Sequence, residues 1–120
     1  MKELKKGTSL YHGTRWQTGS LEWWTNAESP FPNKVGEDGG ISFTLDPDAT
    51  PKVKNANMIL EYTLAKDIAA RECGSKGEFH AILQNDHLAV VYTKKEEEVV
   101  IHPDALGHYL EKQVDAWPGW

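Results

Sequence analysis

Residues 39–47 read Gly-Gly-Ile-Ser-Phe-Thr-Leu-Asp-Pro. The β-branched and aromatic residues between positions 41 and 45 predict a β-strand. Because successive strand residues point to opposite faces of a sheet, Ser42 and Thr44 would share one face while Phe43 points into the core. Glycines before the strand allow a ligand to approach the backbone closely. Taken alone, the segment fits an edge strand with one solvated face better.

Strand-like segments lie on both sides of this one. Residues 8–12 form a short run between two glycines, and residues 58–64 form a longer one. Residues 78–84 and 88–93 predict a hairpin, and residues 99–101 predict a last strand.

Helical signals are fewer and shorter. Asp46 and Pro47 are typical of a helix start, but Pro51 ends any such helix within about a turn. Residues 66–72 predict a helical turn, and Asp104 is placed to cap a final helix. The apolar face of that helix would hold Leu106, Tyr109, Leu110 and Val114. The pattern as a whole predicts an α+β fold.

Residues 14–40 form a long irregular segment punctuated by glycines and prolines. Loops of this length in a compact domain are often functional. Trp16, Trp23 and Trp24 are expected to anchor the segment to the rest of the domain, because large aromatic side chains bury much area.

Length and charge narrow the classes of protein. The 120 residues suit one domain, 1–120. The net charge of −5 argues against a nucleic-acid binder, since phosphate contacts need clustered Lys and Arg. The single cysteine, Cys73, cannot form an intramolecular disulfide. No signal-peptide pattern and no run of about 18 apolar residues is found, so a cytoplasmic protein without a membrane span is expected.

Two further segments carry chemically useful side chains. His12 is followed by Gly13, so that an imidazole and a closely approaching backbone could contact one ligand. Glu96, Glu97 and Glu98 run directly into an apolar strand. A carboxylate placed there can stabilise positive charge on a sugar ring, as in glycoside cleavage. Each segment alone fits a solvated strand end or a charged surface turn better.

Three segments, taken in order, resemble the three motifs of the ADP-ribosyltransferase fold family. They are residues 10–14 (LYHGT), 40–47 (GISFTLDP) and 96–101 (EEEVVI). Members carry a first-strand Arg or His, a central strand with Ser or Tyr, and a late strand with a catalytic Glu. The resemblance covers residues 8–106 as short islands. It implies a compact, split antiparallel β-sheet core with a few short helices.

The same resemblance implies an enzyme that cleaves the nicotinamide–ribose bond of NAD and transfers ADP-ribose to an acceptor. Glu98 would stabilise the charge that develops on the ribose, and Glu96 would position the nucleophile. The residues implied to hold NAD are His12, Gly13, Thr14, Ser42 and Thr44.

An aromatic side chain stacks on nicotinamide in many members of the family. Trp23, Trp24 and Tyr62 are the candidates here, whereas Tyr11 is expected to point into the core. The acceptor is expected to be a protein, and compact members of this family are often bacterial or phage effectors or toxins.

The motif set departs from the family in two respects. His-type members usually have Tyr where this sequence has Ser42, and Ser-type members usually have Arg where it has His12. Alignment on Pro103 would make Glu97, rather than Glu98, the catalytic carboxylate.

Two other functions remain open. RNA 2′-phosphotransferases share a His-Gly-Thr segment and use NAD, but they rely on several arginines and this chain has only Arg15 and Arg71. The second open function is that of a catalytically inactive, acidic module on the same fold that binds or inhibits another protein. No metal site is predicted, because Cys73, His80 and His87 match no established ligand spacing.

Overall fold

A computed structural model describes residues 1–14, 39–46, 58–95, 97–111 and 115–118. The described residues form one eight-stranded sheet in the order β1-β5-β6-β7-β3-β2-β4-β8. The strands are β1 (Lys2–Leu4), β2 (Ser9–Thr14), β3 (Ile41–Thr44), β4 (Met58–Thr63), β5 (Ile68–Glu72), β6 (Val90–Thr93), β7 (Glu98–Ile101) and β8 (Asp115–Pro118). Helix α1 (Lys76–Asn85) connects β5 to β6, and a 3-10 turn (Pro103–Ala105) leads into the short helix α2 (Leu106–Tyr109).

The expected α+β class is confirmed, but the sheet is mixed. Strands β5 and β6 pair in parallel, while the other described pairs are antiparallel. Helix α1 is the crossover that a parallel pair requires, because parallel strands cannot be joined by a tight hairpin.

The two faces of the sheet carry two separate clusters of buried side chains. The larger cluster includes Leu10, Phe43, Tyr62 and Val99. The smaller cluster lies on the opposite face, where Phe79 and Leu83 of α1 pack with Val91 and Val100. Strands β6 and β7 are therefore covered on both sides, which explains their unbroken buried runs.

Two predicted elements are wrong. Residues 78–84 belong to helix α1 instead of a hairpin strand, because Phe79, Ile82 and Leu83 follow helical spacing and place one apolar face on the sheet. Residues 68–72 form strand β5 instead of a helical turn. Pairing with β1 on one side and β6 on the other overrides the helical preference of this alanine-containing segment.

The final helix is shorter than predicted and has a different cap. The amide of Asp104 donates to His102 Nδ1 at 3.1 Å, so His102 and not Asp104 caps the 3-10 turn. Helix α2 ends at Tyr109, and Leu110 bridges to Leu64 at the edge of the sheet. Val114 lies outside the described residues.

Strands β2, β3, β4 and β7 confirm the four strands predicted over residues 8–12, 41–45, 58–64 and 99–101. Strands β1 and β8, which the sequence did not predict, pair with β5 and β4. The predicted loop over residues 14–40 and the predicted helix start at Pro47 lie almost entirely outside the described residues. Within the described part of the chain, no helix is long and apolar enough to cross a membrane.

Candidate functional site

The three motif strands lie side by side in the order β7-β3-β2. Ser42 pairs with Val100, Thr44 pairs with Glu98, and Tyr11 of β2 pairs with Thr44. Directly paired residues project from the same face of a sheet. The topology therefore brings segments that are far apart in sequence to the middle of one sheet.

A row of buried polar residues crosses three neighbouring strands. Glu98 on β7 pairs with Thr44 on β3 and with Thr93 on β6. Their exposed fractions are 1% for Glu98, 1% for Thr44 and 7% for Thr93. A buried carboxylate has lost most of its hydration, so it needs polar neighbours of this kind to remain in the fold.

Ser42 provides the closest contact to the buried carboxylate. Its hydroxyl donates a hydrogen bond to Glu98 Oε1. The contact joins residues of adjacent strands, on the face that Ser42 shares with Thr44 as the two-residue period of β3 predicted. Phe43 points the other way and is fully buried, also as predicted.

His12 reaches the same serine through its backbone. His12 Nδ1 lies 2.7 Å from the carbonyl oxygen of Ser42, and its ring centroid lies 5.7 Å from that of Phe43. A carbonyl oxygen only accepts hydrogen bonds, so Nδ1 carries the proton, and Nε2 holds the lone pair when the ring is neutral. Ser42 thus links the imidazole on one side to the carboxylate on the other.

The pairing of β2 with β3 is much shorter than that of β2 with β4. Strand β2 pairs with β4 over six residue pairs, from Ser9↔Thr63 to Thr14↔Met58. With β3 it forms the single pair Tyr11↔Thr44. The ladder between β2 and β3 stops at this pair, and the contact from His12 to the Ser42 carbonyl lies beside it. We call this place the seam.

The orientation predicted for β2 is wrong. Tyr11, expected in the core, is half-buried and shares the face of Thr44 and Glu98. His12 lies on the opposite face, that of Leu60 and Phe43. The reason is register: pairing Tyr11 with Thr44 fixes which residues of β2 face the carboxylate.

The other residues that the sequence analysis named as candidates for binding NAD differ in where they lie in the fold. Gly13 is half-buried beside the seam, and Thr14 is the last residue of β2. Thr44 donates its hydroxyl to the carbonyl oxygen of Asp46 at 3.0 Å, which orders the end of β3. Tyr62 is fully buried in the core, edge-on to Phe43, so it is not accessible to a nicotinamide ring. Trp23 and Trp24 lie outside the described residues.

The three consecutive glutamates are not equivalent. Glu98 begins β7 and is buried, whereas Glu97 is exposed in a turn with φ 49°. The strand therefore begins at Glu98, and Glu97 belongs to the turn that precedes it. Glu96 lies outside the described residues.

Sequence reasoning missed Thr93 and a cluster of histidines. No local signal marks Thr93, because its place in the polar row depends on pairing with β7. The histidines surround a cavity of about 220 Å³ at the start of β3, the end opposite Thr44. The cavity is lined by Gly39, His80, Leu83, Gln84, His87 and His102.

The single cysteine, Cys73, has a thiol that the fold makes a poor nucleophile. It is buried in the smaller cluster, and burial raises the pKa of its thiol, with a further contribution from Glu78. A raised pKa disfavours the reactive thiolate.

Comparison with known proteins gave no match: no family model, no curated protein and no solved structure is significantly similar to this chain.

Proposed function

We propose that this chain is an NAD-dependent mono-ADP-ribosyltransferase in which Glu98 is the catalytic carboxylate. The observation that carries the proposal is the buried Glu98 held by the Ser42 hydroxyl, with His12 bound to the carbonyl of the same serine. The three residues come from three motifs that resemble those of the ADP-ribosyltransferases, and the sheet places their strands next to one another. The seam between β2 and β3 supports the split sheet that the resemblance implies.

The proposed reaction requires a negatively charged side chain near the positive charge that develops on the ribose. As the bond between the ribose C1′ and the pyridinium nitrogen breaks, nicotinamide leaves as a neutral molecule with the electron pair. The ribose acquires oxocarbenium character, which a nearby carboxylate stabilises. A nucleophile on the acceptor then forms the new bond to C1′ and loses its proton. Fixed groups in a desolvated site act strongly on such a charge, and one of them can contribute about 3 kcal/mol.

The neighbouring residues are assigned supporting roles in this proposal. Ser42 orients Glu98, and His12 Nε2, which lies on the opposite face of the sheet, binds a ribose hydroxyl of NAD from across the seam. The backbone of Gly13 and the residue Thr14 contact the nicotinamide end, next to the seam. Glu96 positions the nucleophile of the acceptor, which we propose is a protein side chain. Thr44 has a structural role in this proposal, because its hydroxyl already donates a hydrogen bond to the carbonyl oxygen of Asp46.

Glu98 is only 1% exposed, so the substrate cannot reach it without movement of the packing above it. The proposal therefore includes an induced-fit step in which NAD binding opens this packing. Such a step also excludes water from the site until the substrate is present.

The test is nicotinamide release from NAD by the purified protein, with Glu98→Gln and Glu97→Gln measured in parallel. Glutamine keeps the size of the side chain and removes the charge, so Glu98→Gln is expected to lower the rate by about 100-fold or more. Glu97→Gln is the matched control, because Glu97 is exposed in the preceding turn, and it is expected to keep the wild-type rate.

Calorimetric titration with NAD separates binding from turnover in the same three proteins. Binding without release is expected for Glu98→Gln. If Glu97→Gln loses activity while Glu98→Gln retains it, the carboxylate is misassigned. If the wild type neither binds NAD nor releases nicotinamide, the proposed function is wrong and a protein-binding module on this fold takes its place.

A further inference from the structure

A second cluster of chemically active side chains lies at the opposite end of the β3–β7 pair. His87 follows helix α1 in the turn before β6, and His102 and Asp104 follow β7. Their imidazole and carboxylate ligand atoms all lie within 4.8 Å of one another. The segments are distant in sequence, so the fold and not a local motif brings these ligands together.

The carboxylate lies close to both imidazoles. Asp104 Oδ2 is 3.2 Å from His87 Nδ1 and 3.7 Å from His102 Nδ1. In a tetrahedral centre with bonds of about 2.0–2.1 Å, neighbouring ligand atoms are about 3.3 Å apart. The two distances from the carboxylate to the imidazoles are near this value before any rearrangement. The two imidazole rings are stacked at 3.9 Å and must tilt apart for their nitrogens to point at one ion.

That tilt meets little packing, because two of the three side chains are exposed. His87 is 54% exposed and Asp104 is 69% exposed, while His102 is 17% exposed and fixed by the end of β7. The cavity of about 220 Å³, which His80, His87 and His102 line, provides room beside the cluster. His102 thus supplies a fixed ligand, and the other two adjust to it.

The donor types indicate which ion would bind. Two imidazole nitrogens and one carboxylate oxygen suit Zn²⁺ and its transition-metal neighbours. Mg²⁺ and Ca²⁺ prefer oxygen ligands only. Three protein ligands leave a fourth position of a tetrahedral centre for water.

We propose that His87, His102 and Asp104 bind one Zn²⁺ ion, which ties the turn after α1 to the segment after β7. One existing contact must yield: His102 Nδ1 accepts the Asp104 amide, and coordination through Nδ1 takes that lone pair. The released amide belongs to an exposed residue and can bond to water. The site is separate from Glu98, so the inference does not rest on the proposed NAD chemistry.

The test is calorimetric titration of the full chain, stripped of metal by a chelator, with ZnCl₂ and, separately, with MgCl₂. The expected result is saturable binding of one Zn²⁺ per chain and no measurable binding of Mg²⁺. His87→Ala and Asp104→Asn change exposed side chains and are expected to weaken Zn²⁺ binding by about 100-fold, as removal of a ligand should. His108→Ala is the matched control, because His108 is an exposed histidine beside Lys66 and Tyr109.

Two outcomes would overturn the proposal. One is the absence of saturable Zn²⁺ binding to the wild type. The other is binding that His87→Ala and Asp104→Asn leave unchanged, or that His108→Ala weakens equally, since this would show adventitious surface binding. X-ray absorption of the Zn²⁺-loaded protein gives an independent readout, with two imidazoles and oxygen ligands expected and no sulfur.

Discussion

A carboxylate with 1% exposure, such as that of Glu98, exists in a folded protein only if nearby groups replace much of its lost hydration. The Ser42 hydroxyl is one of these groups, and the paired residues Thr44 and Thr93 flank the same position. The side chain that the proposed reaction needs is thus also one that the fold must actively support.

Ser42→Ala is expected to destabilise the protein by about 1–3 kcal/mol, because it removes a hydrogen bond to a buried carboxyl group. Urea denaturation at neutral pH measures the change in the free energy of unfolding. Ser9→Ala is the matched control, since Ser9 donates to Glu61 on the same sheet, where both partners are half-buried. Similar losses for the two variants would show that burial of Glu98 does not strengthen the contact.

At this scale, the sequence predicted the identity of the residues better than their orientation. The alternation of Ser42, Phe43 and Thr44 follows from the period of a strand and is confirmed. The orientation of Tyr11 and His12 was reversed, because it depends on register with β3, which is a long-range property. The buried state of Glu98 and the turn at Glu97 are likewise long-range properties. They depend on the pairing of Glu98 with Thr44 at the end of β3.

At the level of elements, strand β3 begins under tight packing from α1 and β7. A Cβ atom added at Gly40 would lie 2.4 Å from Val100 Cγ1 and 2.9 Å from Leu83 Cδ1. Glycine is required here by the close approach of a helix and a strand, although the sequence suggested close approach of a ligand. The contact positions α1 over the start of β3 and thereby shapes the histidine-lined cavity.

Gly40→Ala is expected to lower the free energy of unfolding by about 1–3 kcal/mol, since overpacking forces the helix or the strand to shift. Gly74→Ala is the matched control, because a Cβ at Gly74 would have no neighbour within 4 Å. Thermal and urea denaturation of both variants checks the expectation. Equal stabilities would mean that α1 can move away from β3 at little cost.

The two mispredicted elements show where local patterns fail. The segment of α1 contains a helical triad, Phe79, Ile82 and Leu83, that a reading based on strand character overlooked. Strand β5 has no such signal, because Ala69 and Ala70 favour a helix and only pairing with β1 and β6 makes the segment extended. The first error was avoidable from the sequence, and the second was not.

At the scale of the whole molecule, the larger core cluster contains a titratable group. Tyr62 is fully buried, and burial raises the pKa of its hydroxyl above the ordinary value of about 10. The unfolded chain therefore releases this proton at a lower pH than the folded protein does. It follows that stability is retained below about pH 10 and falls as the pH rises above it.

This fall is expected to approach about 1.4 kcal/mol per pH unit from Tyr62 alone. Urea denaturation from about pH 9 to about pH 11 measures it. Tyr62→Phe keeps the edge-on ring contact with Phe43 and removes the titrating hydroxyl, so its pH dependence should be clearly shallower. Identical curves for the two proteins would assign the alkaline loss of stability to other groups.

The order of strands in the sheet has a consequence for how the chain is made. Lys2 pairs with Ala70, Ile41 with Ile101, and Met58 with Pro118, so partners are separated by roughly sixty residues or more. By contrast, β6 and β7 meet across a turn that begins after Thr93 and ends at Glu98. A chain emerging from a ribosome would therefore hold β2 without β4, and β3 without β7, until those strands have been synthesised. Sheets built from such distant pairs fold slowly, and their early strands are exposed to association with other chains in the meantime.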